Sequence, residues 1–211
     1  MSGQTQRRAV ATGAGTTRGL GPTTSIALAL ALGVAVGVLT SLLQKPLDYP
    51  WLALVNAASP WLTTAFVAGA LQSRLPTAAL VGMAATLLQV AGYYVTADLR
   101  GFGVSTAYVV VWSLCAVLGG PVFGAAGHAW RRAIPVGAGA ALLVAAYASE
   151  AVVAYHFRLG YSSTAWLFGA LALGLAVGLG RHRSQYPALA RWLIPTFIAG
   201  VAGHAVLGLV L

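Results

Sequence analysis

Acid is almost missing from this sequence. Of 211 residues three are acidic, Asp48, Asp98 and Glu150, and the last is the sole glutamate. Metal-dependent and hydrolytic chemistry usually draws on converging carboxylates or histidines. No HExxH, GxSxG or Asp-rich motif occurs either, so the expectation is a protein that is not an enzyme and holds no metal or cofactor. An acid-base pair of Glu150 and His204 is the one catalytic alternative the residue types allow. Cysteine occurs once, at Cys115, which rules out a disulfide within the chain. Inside an apolar run it reads as a small packing residue.

Charge of both signs makes up only 7% of the chain, against 59% hydrophobic residues and a mean hydropathy of +0.82. No water-soluble domain carries such a surface, so the chain is read as an integral membrane protein. Strand alternation is absent and Ala, Leu and Gly dominate, which favours an α-helical bundle over a barrel. A span needs about 20 apolar residues. Seven segments meet that need, near residues 23–43, 51–71, 76–97, 104–129, 134–157, 162–180 and 189–210. Residues 1–21, rich in Gly, Thr, Ser and Arg, have nothing to bury and are expected to be a mobile cytoplasmic tail. Arg7-Arg8 stands ahead of a first segment longer than a usual signal core, so an uncleaved first span is expected.

The net charge of +9 does not point to nucleic acid, because the basic residues stand singly between apolar runs. Their distribution is a topology signal. With seven spans and a cytoplasmic N-terminus, Arg7, Arg8, Arg18, Arg74, Arg131, Arg132, Arg181, Arg183 and Arg191 face inside, and Lys45, Arg100 and Arg158 face outside. The expected fold is therefore a seven-helix transmembrane bundle, N-terminus inside and C-terminus outside, in a bacterial inner membrane.

Small residues dominate the helix faces. Ala29, Gly33 and Gly37 fall four apart in the first span, and Gly174 and Gly178 have GxxxG spacing in the sixth, the pattern of closely packed membrane helices. Gly119-Gly120-Pro121 should kink the fourth span or admit a neighbour. Pro76, Pro135 and Pro195 follow inner basic turns at intervals close to 60 residues, which suggests three repeated hairpins behind a lone first helix.

Counting down from the outer ends at about 1.5 Å per residue puts Asn56, Gln89, Trp112, Glu150 and His204 in one layer, roughly 9–13 Å deep, on five different spans. The inner halves of these helices carry little but Ala, Leu, Gly and Val. The expectation is an outward-facing polar pocket lined by Asn56, Ser59, Gln89, Tyr93, Trp112, Tyr147, Glu150 and His204. A carboxyl in hydrocarbon costs several kcal/mol unless paired, hydrated or protonated. Glu150 is then either the determinant of a bound cation, amine or proton, or a clasp hydrogen-bonded between helices.

Three stretches, Asn56 to Trp61, Gly92 to Gly101 and Gly119 to Gly124, together resemble a family of small bacterial multi-pass proteins catalogued only as a domain of unknown function. The resemblance spans most of residues 24–210 and implies a compact helical membrane protein without an assigned activity. A looser likeness, in size and in Ala and Gly content, is to the S components of energy-coupling-factor vitamin transporters. The functional expectation is capture or transport of a small organic solute through the pocket around Glu150. The alternative is a non-catalytic membrane subunit that pairs with another membrane protein or with itself through its GxxxG-like faces.

Overall fold

The computed structural model describes residues 21–210, so the tail expected over residues 1–21 lies almost wholly outside the described residues. The described chain is helical throughout, with no strand among these residues. Its elements are α1 (Pro22–Leu43), α2 (Ala53–Asn56), α3 (Ala58–Ala70), α4 (Leu75–Leu99), α5 (Thr106–Arg132), α6 (Ala138–Ser149), α7 (Ser162–Arg181) and α8 (Tyr186–Val210). α6 runs on without interruption into a π-helical segment, Glu150–Arg158, and a short 3-10 turn, His182–Ser184, separates α7 from α8.

Among the described residues, six helices are long and apolar enough to cross a membrane. The segment expected as a continuous second span is instead two shorter helices, α2 and α3, meeting at Ala57, whose backbone is extended. The cause is Pro60. A proline inside a helix has no N–H for the carbonyl four residues back, and its ring crowds that carbonyl. Four residues before Pro60 is Asn56, the last residue of α2. α2 and α3 lie in series between the ends of two neighbouring helices. α2 ends near the C-terminal end of α1, where Gln44 donates to the Asn56 side chain, and α3 ends beside the C-terminal end of α5, where Arg131 Nη1 donates to the Ala70 carbonyl at 2.9 Å.

Backbone contact rather than large side chains holds the helices together. The buried residues of α1 are Ser25, Ala29, Gly33, Gly37, Thr40 and Ser41, one stripe that lies on α4. A Cβ at Gly33 or Gly37 would overlap the carbonyl of Ala85 or Gln89. Gly124 meets Gly69 of α3 and Gly82 of α4, and a Cβ at Gly127 would strike the Phe66 carbonyl. The Gly119-Gly120-Pro121 segment thus serves close approach, and α5 continues through it. In a bilayer, where lipid tails are as apolar as leucine, such contact is what brings helices together. Many large apolar side chains point outward: Leu80, Leu99, Leu118, Trp166, Ile194 and Leu209 are all exposed.

α6 is the central helix, buried among α3, α5, α7 and α8, and it carries Leu143, Val144 and Tyr147 into a core with Phe66, Phe123 and Phe168. It starts at Gly137, where φ is +76° and a side chain would collide with Leu189 of α8. α8 is the most peripheral helix; among its described residues only Leu189 is buried. It packs on α6 far more than on α7, so the last expected hairpin does not close as the α3–α4 and α5–α6 pairs do. Ser149 meets α8 at Gly200.

Candidate functional site

The break at Ala57 creates the problem that Glu150 solves. A helix N-terminus exposes four backbone donors without an intrahelical partner. At α3 the four positions are Ala57, Ala58, Ser59 and Pro60. Ala57 donates back to Ala53 at 2.9 Å, and Pro60 has no N–H. The two that remain both reach Glu150, Ala58 N–H to Oε1 at 2.9 Å and Ser59 N–H to Oε2 at 2.8 Å. Every donor at this helix start is thereby accounted for. The positive end of the helix dipole also faces the carboxyl, which adds to the attraction. Glu150 is 5% exposed and comes from a helix 91 residues away from Ser59, so it caps α3 across the bundle.

A second contact lies one turn along the same interface. The Thr63 hydroxyl donates to the Ser59 carbonyl at 3.0 Å, which uses its one proton. The 2.9 Å contact between Thr63 Oγ1 and Tyr147 is then donated by the tyrosine. Tyr147 and Glu150 are three apart on α6 and its continuation, and Ser59 and Thr63 are four apart on α3, so each pair shares a helix face. α6 passes into its π-helical segment at Glu150 itself. Such i→i+5 turns are rare and widen the helix, and they occur often at functional positions.

The eight residues expected to line one pocket fall into separate places. Glu150, Ser59 and Tyr147 form the junction just described. Asn56, on the far side of the break, is exposed and hydrogen-bonded to Gln44. Gln89 is fully buried where α1 presses on α4, and its side-chain amide meets no hydrogen-bonding protein group; the Ser59 hydroxyl is likewise buried and unpartnered. Tyr93 and Trp112 both pack on Trp61, with ring centres at 5.5 and 5.8 Å. His204 stands on α8, and no hydrogen bond joins it to Glu150, whose two oxygens both accept from α3.

Trp112 and His204 do meet in one place. α5 and α8 diverge and leave a cleft of about 670 Å³, closed at the back by α3, α4 and α6. Its wall is almost wholly apolar, and the residues that give it character are Trp61, Trp112, Cys115, Ser149 and His204. Ala58, whose N–H is held by Glu150, also lines it. The Glu150 junction therefore fixes one side of this cleft without opening into it. A Cβ at Gly203, on the α8 wall, would meet nothing within 4 Å.

Among the described residues, no three of His, Cys, Asp and Glu come together as metal ligands. Chemically the arrangement offers a shaped apolar surface, two indole faces, a thiol and an imidazole. Sequence reasoning placed Trp112 and His204 at similar depth. It overlooked Trp61 as the shared wall and read Cys115 as packing alone. The signal for Trp61 was present in its position one residue after Pro60, at the start of α3. Gln185 was also missed: fully buried, it accepts from Gly137 N–H at 2.9 Å and donates to the Trp130 carbonyl at 3.1 Å, tying the starts of α6 and α8 to the end of α5.

Residues 16–210 match a family of unknown function, DUF6518, and the chain belongs to that family. No curated protein and no solved structure matches, so the likeness to vitamin-transporter S components stays one of size and composition.

Proposed function

We propose that the chain, as a member of this family, is a multi-pass membrane protein that captures a small, largely apolar organic molecule in the cleft between α5 and α8. The cleft carries the reading: about 670 Å³ of apolar space with two tryptophans, one histidine and one cysteine on its wall. Ligand sites of this size, mostly apolar with a few placed polar groups, are typical of small-molecule binding. Glu150 serves as a clasp for α3, not as a contact to the solute. In this reading α2 and α3 together make a seventh crossing, the N-terminus is cytoplasmic and the nine inner arginines hold the orientation in a bacterial inner membrane. The role is binding and passage without catalysis.

Cys115 offers the test, because it is the single thiol in the chain and it lines the cleft. Native mass spectrometry of the purified protein is expected to show a retained small molecule that slows maleimide labelling of Cys115. Gly203→Trp, which fills open space on the α8 wall, is expected to lose the adduct while folding normally. A protein that carries only phospholipid and detergent, with Cys115 labelled at the same rate in both forms, would overturn the reading. Alkaline phosphatase fusions after Lys45, Arg100 and Arg158 should be active under the proposed topology.

One observation favours assembly as a second reading. Gly174 and Gly178 on α7 are exposed, and a Cβ at either would meet nothing within 4 Å. Small residues at this spacing let a further helix approach closely. Gly174→Cys in a Cys115→Ser background should crosslink in native membranes if α7 pairs with a copy of itself; a monomeric product counts against self-pairing.

A further inference from the structure

Lys45 and Arg100 were read from the sequence only as charges that set topology, yet the fold brings them to one cavity. At the end of the bundle where α1 and α4 stop, a cavity of about 330 Å³ is lined by Gln44, Lys45, Leu52, Asn56, Arg100 and Phe102. No acidic residue lines it, although Asp48 and Asp98 lie only three and two residues from the two cations in sequence. Two positive charges facing the same space without a counter-charge repel each other, an arrangement that an anion relieves.

Donors outnumber acceptors around this space. Arg100 donates one N–H to the Ser41 carbonyl and lies 4.9 Å from the Phe102 ring centre, so its guanidinium is held in place with further donors to spare. Lys45 brings three donors on an exposed ammonium, and Asn56, whose side-chain oxygen accepts from Gln44, keeps its NH₂ available. Tyr49 in the same loop adds no negative charge: partial burial raises its phenol above the usual value, and Tyr161, edge-on at 5.0 Å, raises it further. A fixed guanidinium beside a mobile ammonium suits a group with several acceptor oxygens, the guanidinium binding a planar oxygen pair and the ammonium acting as a point charge.

We propose that this cavity is an anion site that takes a phosphate group between Lys45 and Arg100, with Asn56 as a third donor. The group is either the phosphate of a lipid headgroup or that of a soluble phosphorylated molecule. The inference does not rest on the α5–α8 cleft, with which the cavity shares no lining residue.

The test uses the full chain purified in a maltoside detergent. In one arm inorganic phosphate is titrated against chloride at constant ionic strength, and the thermal midpoint is followed. In the other, micelles are doped with phosphatidylglycerol or with phosphatidylcholine, and retained lipid is counted by native mass spectrometry. A saturable response to phosphate identifies a soluble ligand, and selective retention of phosphatidylglycerol identifies a lipid. In either case Lys45→Gln should weaken binding about tenfold, the equivalent of about 1.4 kcal/mol. Asn56→Ala should weaken it less. Both positions are exposed, so folding is spared. Arg100→Gln, which also gives up the Ser41 contact, should abolish binding. Absence of binding in both arms overturns the proposal, as does binding that Lys45→Gln and Asn56→Ala leave unchanged.

Discussion

Replacing Glu150 should cost stability rather than a ligand, and the size of the cost follows from what its oxygens hold. Glu150→Ala leaves the N–H groups of Ala58 and Ser59 without acceptors, the first part-buried and the second buried. A buried donor left unpaired costs about 1–3 kcal/mol, so a loss of roughly 3 kcal/mol is expected once the partial exposure of Ala58 is allowed for. At roughly 2–4 °C per kcal/mol for a chain of this length, the thermal midpoint should fall by about 6–12 °C. Glu150→Gln keeps one acceptor and turns an NH₂ toward the other donor, so it should lose about half as much. Glu150→Asp is one methylene shorter and should not reach both donors. Thermal unfolding in detergent, followed by helical circular dichroism, gives these numbers.

A double-mutant cycle with Pro60→Ala isolates the cause. Restoring an N–H at position 60 allows the helix to run through Ala57, which brings the free donors back into the ladder. In that background Glu150→Ala should cost clearly less, a coupling of about 1 kcal/mol or more. The reasoning is refuted if Glu150→Ala unfolds within about 0.5 kcal/mol of the parent, the scatter expected of neutral surface changes. It also fails if the cost is the same with and without Pro60. A solute-binding carboxylate would behave differently, with binding lost in Glu150→Gln at unchanged stability.

Three further substitutions probe the rest of the frame. Gly127→Ala places a methyl against the Phe66 carbonyl and should separate α3 from α5, destabilising by about 1–3 kcal/mol in the same unfolding assay. Gln185→Leu strands the Gly137 N–H and the Trp130 carbonyl; a loss of about 2 kcal/mol is expected, with faster proteolysis in the loops before α6 and α8. Tyr147→Phe removes the donor to Thr63 and should cost about 1 kcal/mol, in a manner non-additive with Glu150→Gln because both contacts join α3 to α6.

Much of the fold was legible because a membrane restricts the choices. The apolar runs gave most helices nearly to their ends, and the Ala29, Gly33 and Gly37 stripe marked a closely packed face of α1, though not α4 as the helix that meets it. The second segment misled because hydropathy does not register a missing N–H, and composition alone could not tell Pro60, which breaks its helix, from Pro121 and Pro195, which do not. The difference is that an acceptor waits for the freed donors at Pro60. That acceptor is remote in sequence, so only packing reveals it. Depth counting grouped polar residues by height and had no information about azimuth. Asn56, Gln89 and Glu150 were counted to one level, and they face a surface cavity, an α1–α4 contact and a helix start. Lys45 and Arg100 were seen as topology charges because their convergence depends on how α1 and α4 end together.

The long sequence separation of the Glu150 contact also sets a schedule for biosynthesis. Ala58 and its acceptor are 92 residues apart. At about 5–20 residues per second, translation leaves the start of α3 uncapped for roughly 5–20 s after it is made. During that interval a short helix with two free N–H groups has poor standing in hydrocarbon, where unpaired backbone groups cost several kcal/mol each. α3 should then reside in the translocon or at the interface until Glu150 emerges, and enter the bilayer together with α6. Ribosome-arrested chains ending before and after the α6 segment would differ in protease protection of residues 53–70, which dates the insertion of that segment to the arrival of the sole glutamate.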